Sequence, residues 1–249
     1  MKWNADSYFS IGSTHRVCQD YAAHKAGFAV LSDGCSSAPD TDIGARLLCR
    51  NALLPEPVSM FTLVRHAAMI GIQKESLFAT LLSAEHIDDS WGNLIEVRMH
   101  GDGYVIAMNE NGDLETLHLE YADNMPWYPV YGTLELKTEF RSSVSESTGA
   151  GWEDVSSKSR EERVFWLKAD RYQMVAVCSD GLGTFRDGLG QPVSVGKLAR
   201  DICSVKVPNG EFLQRRLSAL KRNEWANLRH EDDLSIAALI RSTSEDADA

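Results

Sequence analysis

The sequence predicts an α+β fold with largely antiparallel sheets. Strand-like segments crowd the middle of the chain, whereas helix-like segments follow the first acidic turn and return near the C-terminus. Strands and helices therefore do not alternate as they do in a parallel α/β protein. Asp102-Gly103 and Asn111-Gly112 stand between strand-like segments and are typical of hairpin turns.

The individual elements follow from hydrophobic periodicity and turn residues. Residues 27–32 form a short apolar run bounded by Gly and Asp, which predicts a buried strand. A helix is expected to begin at Asp40 or Thr41, and a second helix with one apolar face covers 58–74. Further strands are predicted at 78–87, 93–101, 104–110, 115–121, 164–168, 174–179 and 233–240, and further helices at 193–203 and from 211 to about 228.

Composition limits the class of protein. The chain has 249 residues, of which 43% are hydrophobic, and no linker divides it, so we predict a single domain over 1–242. Residues 243–249 form an acidic tail that we expect to be disordered. Residues 141–162 are rich in Ser, Gly and charge, which predicts a long surface loop or a mobile flap.

Charge and cysteine content favour a cytoplasmic protein that binds neither nucleic acid nor membrane. The formal net charge is −11 and no dense run of Lys and Arg occurs, which disfavours nucleic-acid binding. No stretch approaches the length of a membrane span, and the N-terminus lacks the apolar region of a signal peptide. The five cysteines contain no C-x-x-C pair, so reduced thiols are expected.

Acidic turns recur at the ends of apolar runs. AVLSDG at 29–34 and AVCSDG at 176–181 each end a strand-like run in Asp-Gly, and CQD at 18–20, GDG at 101–103 and EDD at 231–233 also adjoin predicted strands. A single Asp-Gly after a strand is usually only a turn. Several aspartates that converged would repel one another unless a cation lay between them. Oxygen ligands without His or Cys suit Mg²⁺ or Mn²⁺ better than Zn²⁺.

The ordered set of motifs resembles a known family. G-x-x-H-x-x-x-Q-D, A-V-x-S-D-G, G-D-G, C-S-D-G and D-D-x-S follow one another between about residues 12 and 239. This series resembles the metal-dependent protein phosphatases of the type 2C family, and the opening IGSTHRVCQD looks most like the compact bacterial branch. The resemblance implies a four-layer α-β-β-α sandwich, in which two mainly antiparallel sheets are flanked by helices. It also implies a Mg²⁺- or Mn²⁺-dependent serine/threonine protein phosphatase, with a phosphorylated protein as substrate and a cognate kinase as partner.

The resemblance assigns six residues to metal ions, namely Asp20, Asp33, Gly34, Asp102, Asp180 and Asp232. Asp33 would bridge two ions, and the carbonyl of Gly34 would bind the second. The first ion would be held by Asp180 and Asp232. Asp20 would support the second ion, and Asp102 would help to bind a third, weaker one.

The implied reaction needs no covalent phosphoenzyme. Two ions that share a water lower its pKa toward neutrality, and the hydroxide attacks phosphorus in line with the leaving serine or threonine oxygen. The metals and a basic side chain offset the charge on the phosphoryl oxygens. Asp33, Asp180 and His15 are therefore the predicted catalytic residues.

Three positions depart from the family pattern. Many members carry an arginine for phosphate binding where this chain has His15, followed by Arg16, so both are candidate phosphate ligands. His15 could also be a structural histidine bonded to backbone. Many members have a histidine, proposed as general acid, where this chain has Cys35, so metal-bound water or His15 would protonate the leaving group. Asp233 stands where the family usually has Asn and is expected to support its neighbours.

Two other interpretations remain open from the sequence. PDTDIG at 39–44 contains the D-x-D of haloacid-dehalogenase-type phosphatases, but SSAP precedes it instead of a hydrophobic strand. A non-catalytic phospho-sensing or scaffold module on the type 2C fold is the second alternative. The complete aspartate set disfavours it, whereas Cys35 after Asp33-Gly34 weakly favours it.

Overall fold

A computed structural model of the chain describes residues 2–89, 92–134, 140–147, 152–156 and 162–242. The helices in these ranges are α1 (Thr41–Ala52), α2 (Met60–Met69), α3 (Val195–Cys203) and α4 (Phe212–Arg222). The strands are β1 (Lys2–Ser10), β2 (Tyr21–Lys25), β3 (Phe28–Ser32), β4 (Leu81–Asp89), β5 (Gly92–His100), β6 (Gly103–Asn109), β7 (Leu114–Tyr121), β8 (Ser142–Ser147), β9 (Trp152–Asp154), β10 (Arg163–Lys168), β11 (Tyr172–Cys178), β12 (Phe185–Arg186), β13 (Arg229–His230) and β14 (Leu234–Ser242). The predicted acidic tail, 243–249, lies outside the described residues, and the domain boundary at 242 stays a prediction.

Two six-stranded sheets contain most of the strands. The first sheet has the order β1-β14-β11-β6-β7-β8, and the second has the order β2-β3-β4-β5-β10-β9. The neighbouring strands in both sheets pair antiparallel. The largely antiparallel character predicted from the sequence is thereby confirmed.

The two sheets pack face to face with helices outside each of them. Leu31 of the second sheet and Val175 of the first belong to one buried core between the sheets. Leu217 of α4 packs in a second core on the outer face of the first sheet. Leu48 of α1 packs in a third core on the outer face of the second sheet. The predicted four-layer α-β-β-α sandwich is therefore confirmed, and each sheet is buried on both faces where helices cover it.

Strand β14 shows why a central strand of this fold is a continuous apolar run. Ala237 and Leu239 point into the core between the sheets, whereas Ile236 and Ile240 point toward α3 and α4. Successive side chains of a strand point to opposite faces, so both sets must be apolar when both faces are buried. The five residues IAALI, 236–240, follow this requirement, and Ser235 is the buried polar exception near the start of the strand.

The predicted long loop over 141–162 is wrong in part. Strand β8 pairs with β7 at the edge of the first sheet, and β9 pairs with β10 at the edge of the second. Val144 and Trp152 pack against the core between the sheets, and the indole Nε1 of Trp152 donates to Glu115 Oε2 at 2.8 Å. Val144 and Trp152 thus attach these polar strands to the core. Residues 148–151 and 157–161 of this segment lie outside the described ranges.

One of the two predicted hairpin turns is a hairpin. Gly112, with φ of 81°, joins β6 to β7, and its N–H donates to the carbonyl of Asn109 at 3.1 Å. Asp102-Gly103 instead connects β5 of the second sheet to β6 of the first. Gly103 has φ of 139°, and a Cβ there would lie 2.6 Å from the carbonyl oxygen of Cys178. This glycine allows the chain to cross closely between the sheets.

None of the described helices is long and apolar enough to cross a membrane.

A buried aspartate of β1 caps α4 from a distant part of the chain. Asp6 is 2% exposed, and its Oδ2 accepts from the N–H groups of Leu213 at 2.6 Å and Gln214 at 3.1 Å. Glu211, the residue that precedes α4, makes no capping bond through its own side chain. Asp6 therefore accepts hydrogen bonds from N–H groups at the start of α4, which the residue preceding the helix does not cap.

The substitution Asp6→Ala is expected to lower the free energy of unfolding by about 1–3 kcal/mol, because it leaves buried N–H groups without an acceptor. Urea denaturation followed by circular dichroism measures the change. Asp170→Ala is the control, since Asp170 is exposed in a turn and should stay within about 0.5 kcal/mol of wild type. A urea midpoint for Asp6→Ala equal to that of the wild type would contradict the capping role.

Candidate active site

Strand pairing in the second sheet places two of the predicted aspartates at one edge. Tyr21 at the start of β2 pairs with Ser32 at the end of β3. Asp20 and Asp33 are the residues immediately beyond this pair. Antiparallel pairing therefore brings together two residues that stand before one strand and after the next.

The first sheet presents its aspartates in the same way. The end of β11 pairs with the starts of both β6 and β14. Asp180 follows β11, Asp102 precedes β6, and Asp232 lies just before β14. Three acidic residues from distant parts of the sequence thus meet at one edge of the first sheet.

The edges of the two sheets enclose a single cleft of about 230 Å³. The predicted site residues that line it are His15, Asp33, Gly34, Asp102, Asp180 and Asp232. Asp20 is 1% exposed and lies beneath the surface. Arg16 is exposed and is not among the lining residues. His15 is the only side chain able to carry positive charge among the described residues that line the cleft.

Crowding and burial make the carboxylates of the cleft hard to ionise together. Burial raises the pKa of Asp33 well above its usual range, and the charges of Asp20 and Asp180 add to the rise. Burial raises the pKa of Asp20 to about 7. Burial, followed by the charge of Asp180, raises the pKa of Asp102 to about 7 and raises that of Asp232. Like charges in a poorly solvated site cause these shifts.

The donor set fits a hard divalent cation. Among the described residues, neither carboxylate oxygen of Asp20 nor Oδ1 of Asp180 has a hydrogen-bond partner, although these atoms are buried. Buried carboxylate oxygens without donors are costly unless a cation binds them. No three His, Cys, Asp or Glu side chains of the described chain form a finished metal-binding group, so the carboxylates would have to draw closer around an ion. The oxygen-only chemistry suits Mg²⁺ or Mn²⁺.

The turn at Asp33 is fastened to the segment that precedes β4. The N–H of Asp33 donates to Thr80 Oγ1 at 3.0 Å, and the N–H of Thr80 donates to the carbonyl of Asp33 at 2.8 Å. A Cβ on Gly34 would lie 2.8 Å from Thr41 Cβ and 2.9 Å from the carbonyl oxygen of Gln19. The glycine is thus required for close packing of the turn, which holds Asp33 in place.

Cys35 and His15 occupy two of the three positions that depart from the family pattern. Cys35 lines the cleft, and its Sγ lies 3.1 Å from Ser37 Oγ. Burial alone would raise the pKa of this thiol, but hydrogen bonds with Ser37 and Tyr128 outweigh burial and lower it. His15 Nδ1 lies 3.1 Å from Asp233 Oδ2, and its Nε2 lies 3.4 Å from Asp232 Oδ1. Burial would lower the pKa of His15, but Asp233 above all, with Asp232 and Asp20, raises it.

Four further residues line the cleft that the sequence did not single out, namely Thr80, Asn124, Pro126 and Tyr128. Asn124 and the preceding Asp123 both have left-handed backbone, with φ of 52° and 59°. Asp and Asn tolerate this region better than other non-glycine residues, so Asp-Asn was an available turn signal. Thr80 and Tyr128 carry no comparable signal.

The D-x-D alternative finds no strand end. Asp40 is exposed, has φ of 52° and stands at the N-terminus of α1, and Asp42 lies in the first turn of that helix. Neither residue is among those that line the cleft. The hydrophobic strand that should precede such a motif ends earlier, at Ser32.

Comparison with known proteins identifies the fold. No family model matches the sequence, and no curated protein matches it. Among solved structures, a bacterial serine phosphatase carrying one substitution aligns with a TM-score of 0.59 and 10% identity over 97% of this chain and 100% of that one. The serine/threonine phosphatase Stp1 of Staphylococcus aureus aligns with a TM-score of 0.58 and 10% identity over 98% and 96% of the chains. PppA of Pseudomonas aeruginosa, described as a key regulatory component of T6SS, aligns with a TM-score of 0.51 and 16% identity over 96% and 98%.

The chain therefore has the fold of the bacterial serine and serine/threonine phosphatases, as the motif resemblance predicts. The alignment extends over nearly the whole of both chains, so the fold is shared from one end to the other and not in a fragment.

Proposed function

We propose that this protein is a metal-dependent serine/threonine protein phosphatase of the type 2C family. Fold alone does not imply activity, because one fold can serve many functions. The observation that carries the proposal is the cleft itself: four carboxylates line it at the edge of a phosphatase-type sandwich. A phosphate ester could not approach such a negative cleft without cations.

The site residues are assigned as follows. Asp33 would serve two ions, and the carbonyl of Gly34 would serve the second of them together with Asp20. Asp180 and Asp232 would hold the first ion, and Asp102 would contribute to a third, weaker one. Bound Mn²⁺ or Mg²⁺ supplies positive charge for the phosphoryl oxygens and lowers the pKa of water.

His15 is assigned contact with the phosphoryl oxygens, because it lines the cleft and can carry positive charge. Arg16 is exposed on the same loop and lies farther from the chemistry, so it is the weaker of the two candidate phosphate ligands. Tyr128 and Asn124 form the wall against which the phosphorylated residue would rest. No side chain is required as a nucleophile, and no covalent phosphoenzyme forms.

The biological setting is part of the same proposal. The substrate is a phosphorylated protein, which implies a kinase that adds the phosphate. Five free cysteines, three of them buried, are consistent with a reducing cytoplasm.

Removal of divalent cations is expected to abolish phosphate release from a phosphothreonine peptide and from p-nitrophenyl phosphate. Excess Mn²⁺ should restore it, because the carboxylates of the cleft then bind cations again. Phosphate is measured in EDTA, and again after EDTA is replaced by Mn²⁺ or Mg²⁺. Undiminished turnover in EDTA would contradict the metal mechanism. Binding of the phosphopeptide without any turnover in Mn²⁺ would instead favour the sensing module.

A further inference from the structure

A single buried carboxylate joins the loop of His15 to the strand of Asp232. Asp233 is 2% exposed, and its Oδ1 accepts from the N–H of Gly12 at 2.7 Å. Its Oδ2 accepts from the N–H of Gln19 at 2.6 Å. The two hydrogen bonds hold both ends of the loop that carries His15. They span more than 200 positions of sequence, so β14 fixes the shape of a loop near the N-terminus.

The same carboxylate also faces the imidazole directly. His15 Nδ1 lies 3.1 Å from Asp233 Oδ2, which is an ion-pair distance, although this buried nitrogen makes no aligned hydrogen bond with any of the described residues. Nε2 of the same ring lies 3.4 Å from Asp232 Oδ1. The His15 side chain is 21% exposed, whereas Asp233 is almost completely enclosed. The carboxylate is therefore the fixed partner, and the histidine is the member of the pair that reaches the cleft.

The loop has little freedom to adopt another path. A Cβ on Gly12 would lie 2.3 Å from the carbonyl carbon of Asp232. The N–H of Ser13 donates to the carbonyl of His230 at 2.9 Å, and Thr14 Oγ1 donates to the carbonyl of Glu231 at 2.7 Å. The loop thus lies against residues 230–233, and Asp233 is the side chain that closes this contact.

We propose that Asp233 is the positioning residue of His15: its buried carboxylate fixes the ring so that the histidine faces the phosphate-binding side of the cleft. The proposal rests on the phosphatase function proposed above. A carboxylate that orients a histidine by facing its second ring nitrogen is a general device for fixing both ring orientation and tautomer. Asp233 itself touches neither substrate nor reacting atoms.

The substitution Asp233→Asn tests the role with little change in volume. An amide presents one acceptor and one donor, so either Gly12 or Gln19 must lose its acceptor, and the charge opposite His15 Nδ1 disappears. We expect kcat/KM for a phosphothreonine peptide in Mn²⁺ to fall about 10- to 100-fold, as is typical for partners that orient an active-site ligand. In a His15→Ala background, Asp233→Asn should lower kcat/KM by about threefold or less, because the histidine through which Asp233 acts is absent.

Asp6→Asn is the matched control. Asp6 is equally buried and also accepts from two N–H groups of a distant segment, but these groups belong to the start of α4. The substitution Asp6→Asn should lower the melting temperature without changing kcat/KM. Equal losses of kcat/KM for Asp233→Asn in the wild-type and His15→Ala backgrounds would overturn the proposal. So would a loss for Asp6→Asn as large as that for Asp233→Asn.

If Asp233→Asn does not fold, the protonation of the His15 ring nitrogens can be measured by NMR in protein that keeps both side chains. In protein labelled with ¹⁵N-histidine, the His15 signals are assigned by their loss in His15→Ala. We expect Nδ1 of His15 to carry a proton, because it faces Asp233 Oδ2. An unprotonated Nδ1 would overturn the proposal even if the enzyme were active. Wild-type protein without any phosphatase activity would contradict the proposed function, and the tautomer would still test the pairing.

Discussion

Replacing Asp33 with Asn is expected to lower kcat for a phosphothreonine peptide by roughly 1,000-fold or more, a loss typical of removing a central catalytic group. Asp33 stands between the two sheets, where burial and the charges of Asp20 and Asp180 raise its pKa. Its backbone is held by Thr80 through bonds that the substitution does not touch. Phosphate release in Mn²⁺ measures the loss.

The melting temperature distinguishes the loss of a catalytic carboxylate in Asp33→Asn from misfolding of the variant. A carboxyl whose pKa is raised by folding destabilises the folded state at pH values above its unfolded pKa, so removal of the charge should not destabilise the metal-free protein at pH 7. In EDTA we therefore expect Asp33→Asn to melt at or above the wild-type temperature. Mn²⁺ should raise the melting temperature of the wild type more than that of the variant, because bound cations stabilise only the state that binds them.

Asp40→Asn is the matched control for the same chemical change. Asp40 is exposed and has φ of 52°, a conformation that Asn adopts readily. Its activity should equal that of the wild type. A strong loss in Asp40→Asn, with full activity in Asp33→Asn, would favour the D-x-D alternative and refute the assignment of the cleft.

The sequence predicted the strand ends beside the candidate site well, because the signal there is local. An apolar run followed by Asp-Gly identifies a strand end from a few consecutive residues, and the two strands end as expected shortly before the aspartates, at Ser32 and Cys178. The convergence of these ends depends on strand order, which single-sequence patterns do not contain. The motif resemblance supplied only the expectation that these aspartates share one site.

Contacts between distant segments were beyond the reach of local patterns. Nothing near Asp233 indicates that it accepts from Gly12 and Gln19, because both donors are backbone groups. The edge strand β8 was missed for a related reason. It alternates Ser with Val144 and charge, and edge strands need not show a strong apolar alternation.

Gly34 and Gly181, which end the hexapeptides AVLSDG and AVCSDG, are not required by the backbone conformation of a turn. Neither Gly34 nor Gly181 is among the residues with positive φ. A Cβ on Gly181 would lie 1.7 Å from the carbonyl oxygen of Asp233, closer than the 2.8 Å between a Cβ on Gly34 and Thr41. Both glycines are therefore required by close approach of another segment. Backbone atoms approach both glycines, and they cannot move aside as a flexible side chain can, but the approach is much closer at Gly181.

The substitution Gly181→Ala is consequently expected to lower the free energy of unfolding by about 3 kcal/mol or more, the upper range for added volume at a closely packed point. The methyl group would push the Asp180 turn away from the start of β14, so phosphatase activity should fall as well. Urea denaturation and phosphate release measure the two effects.

Gly196→Ala is the matched control, because Gly196 is exposed in α3 with no atom within 4 Å of its added Cβ. That change should be neutral or stabilise by up to about 1 kcal/mol, since alanine favours a helix over glycine. Wild-type stability in Gly181→Ala would show that the two turns can separate without cost, and the rigid edge on which the site assignment depends would then be absent.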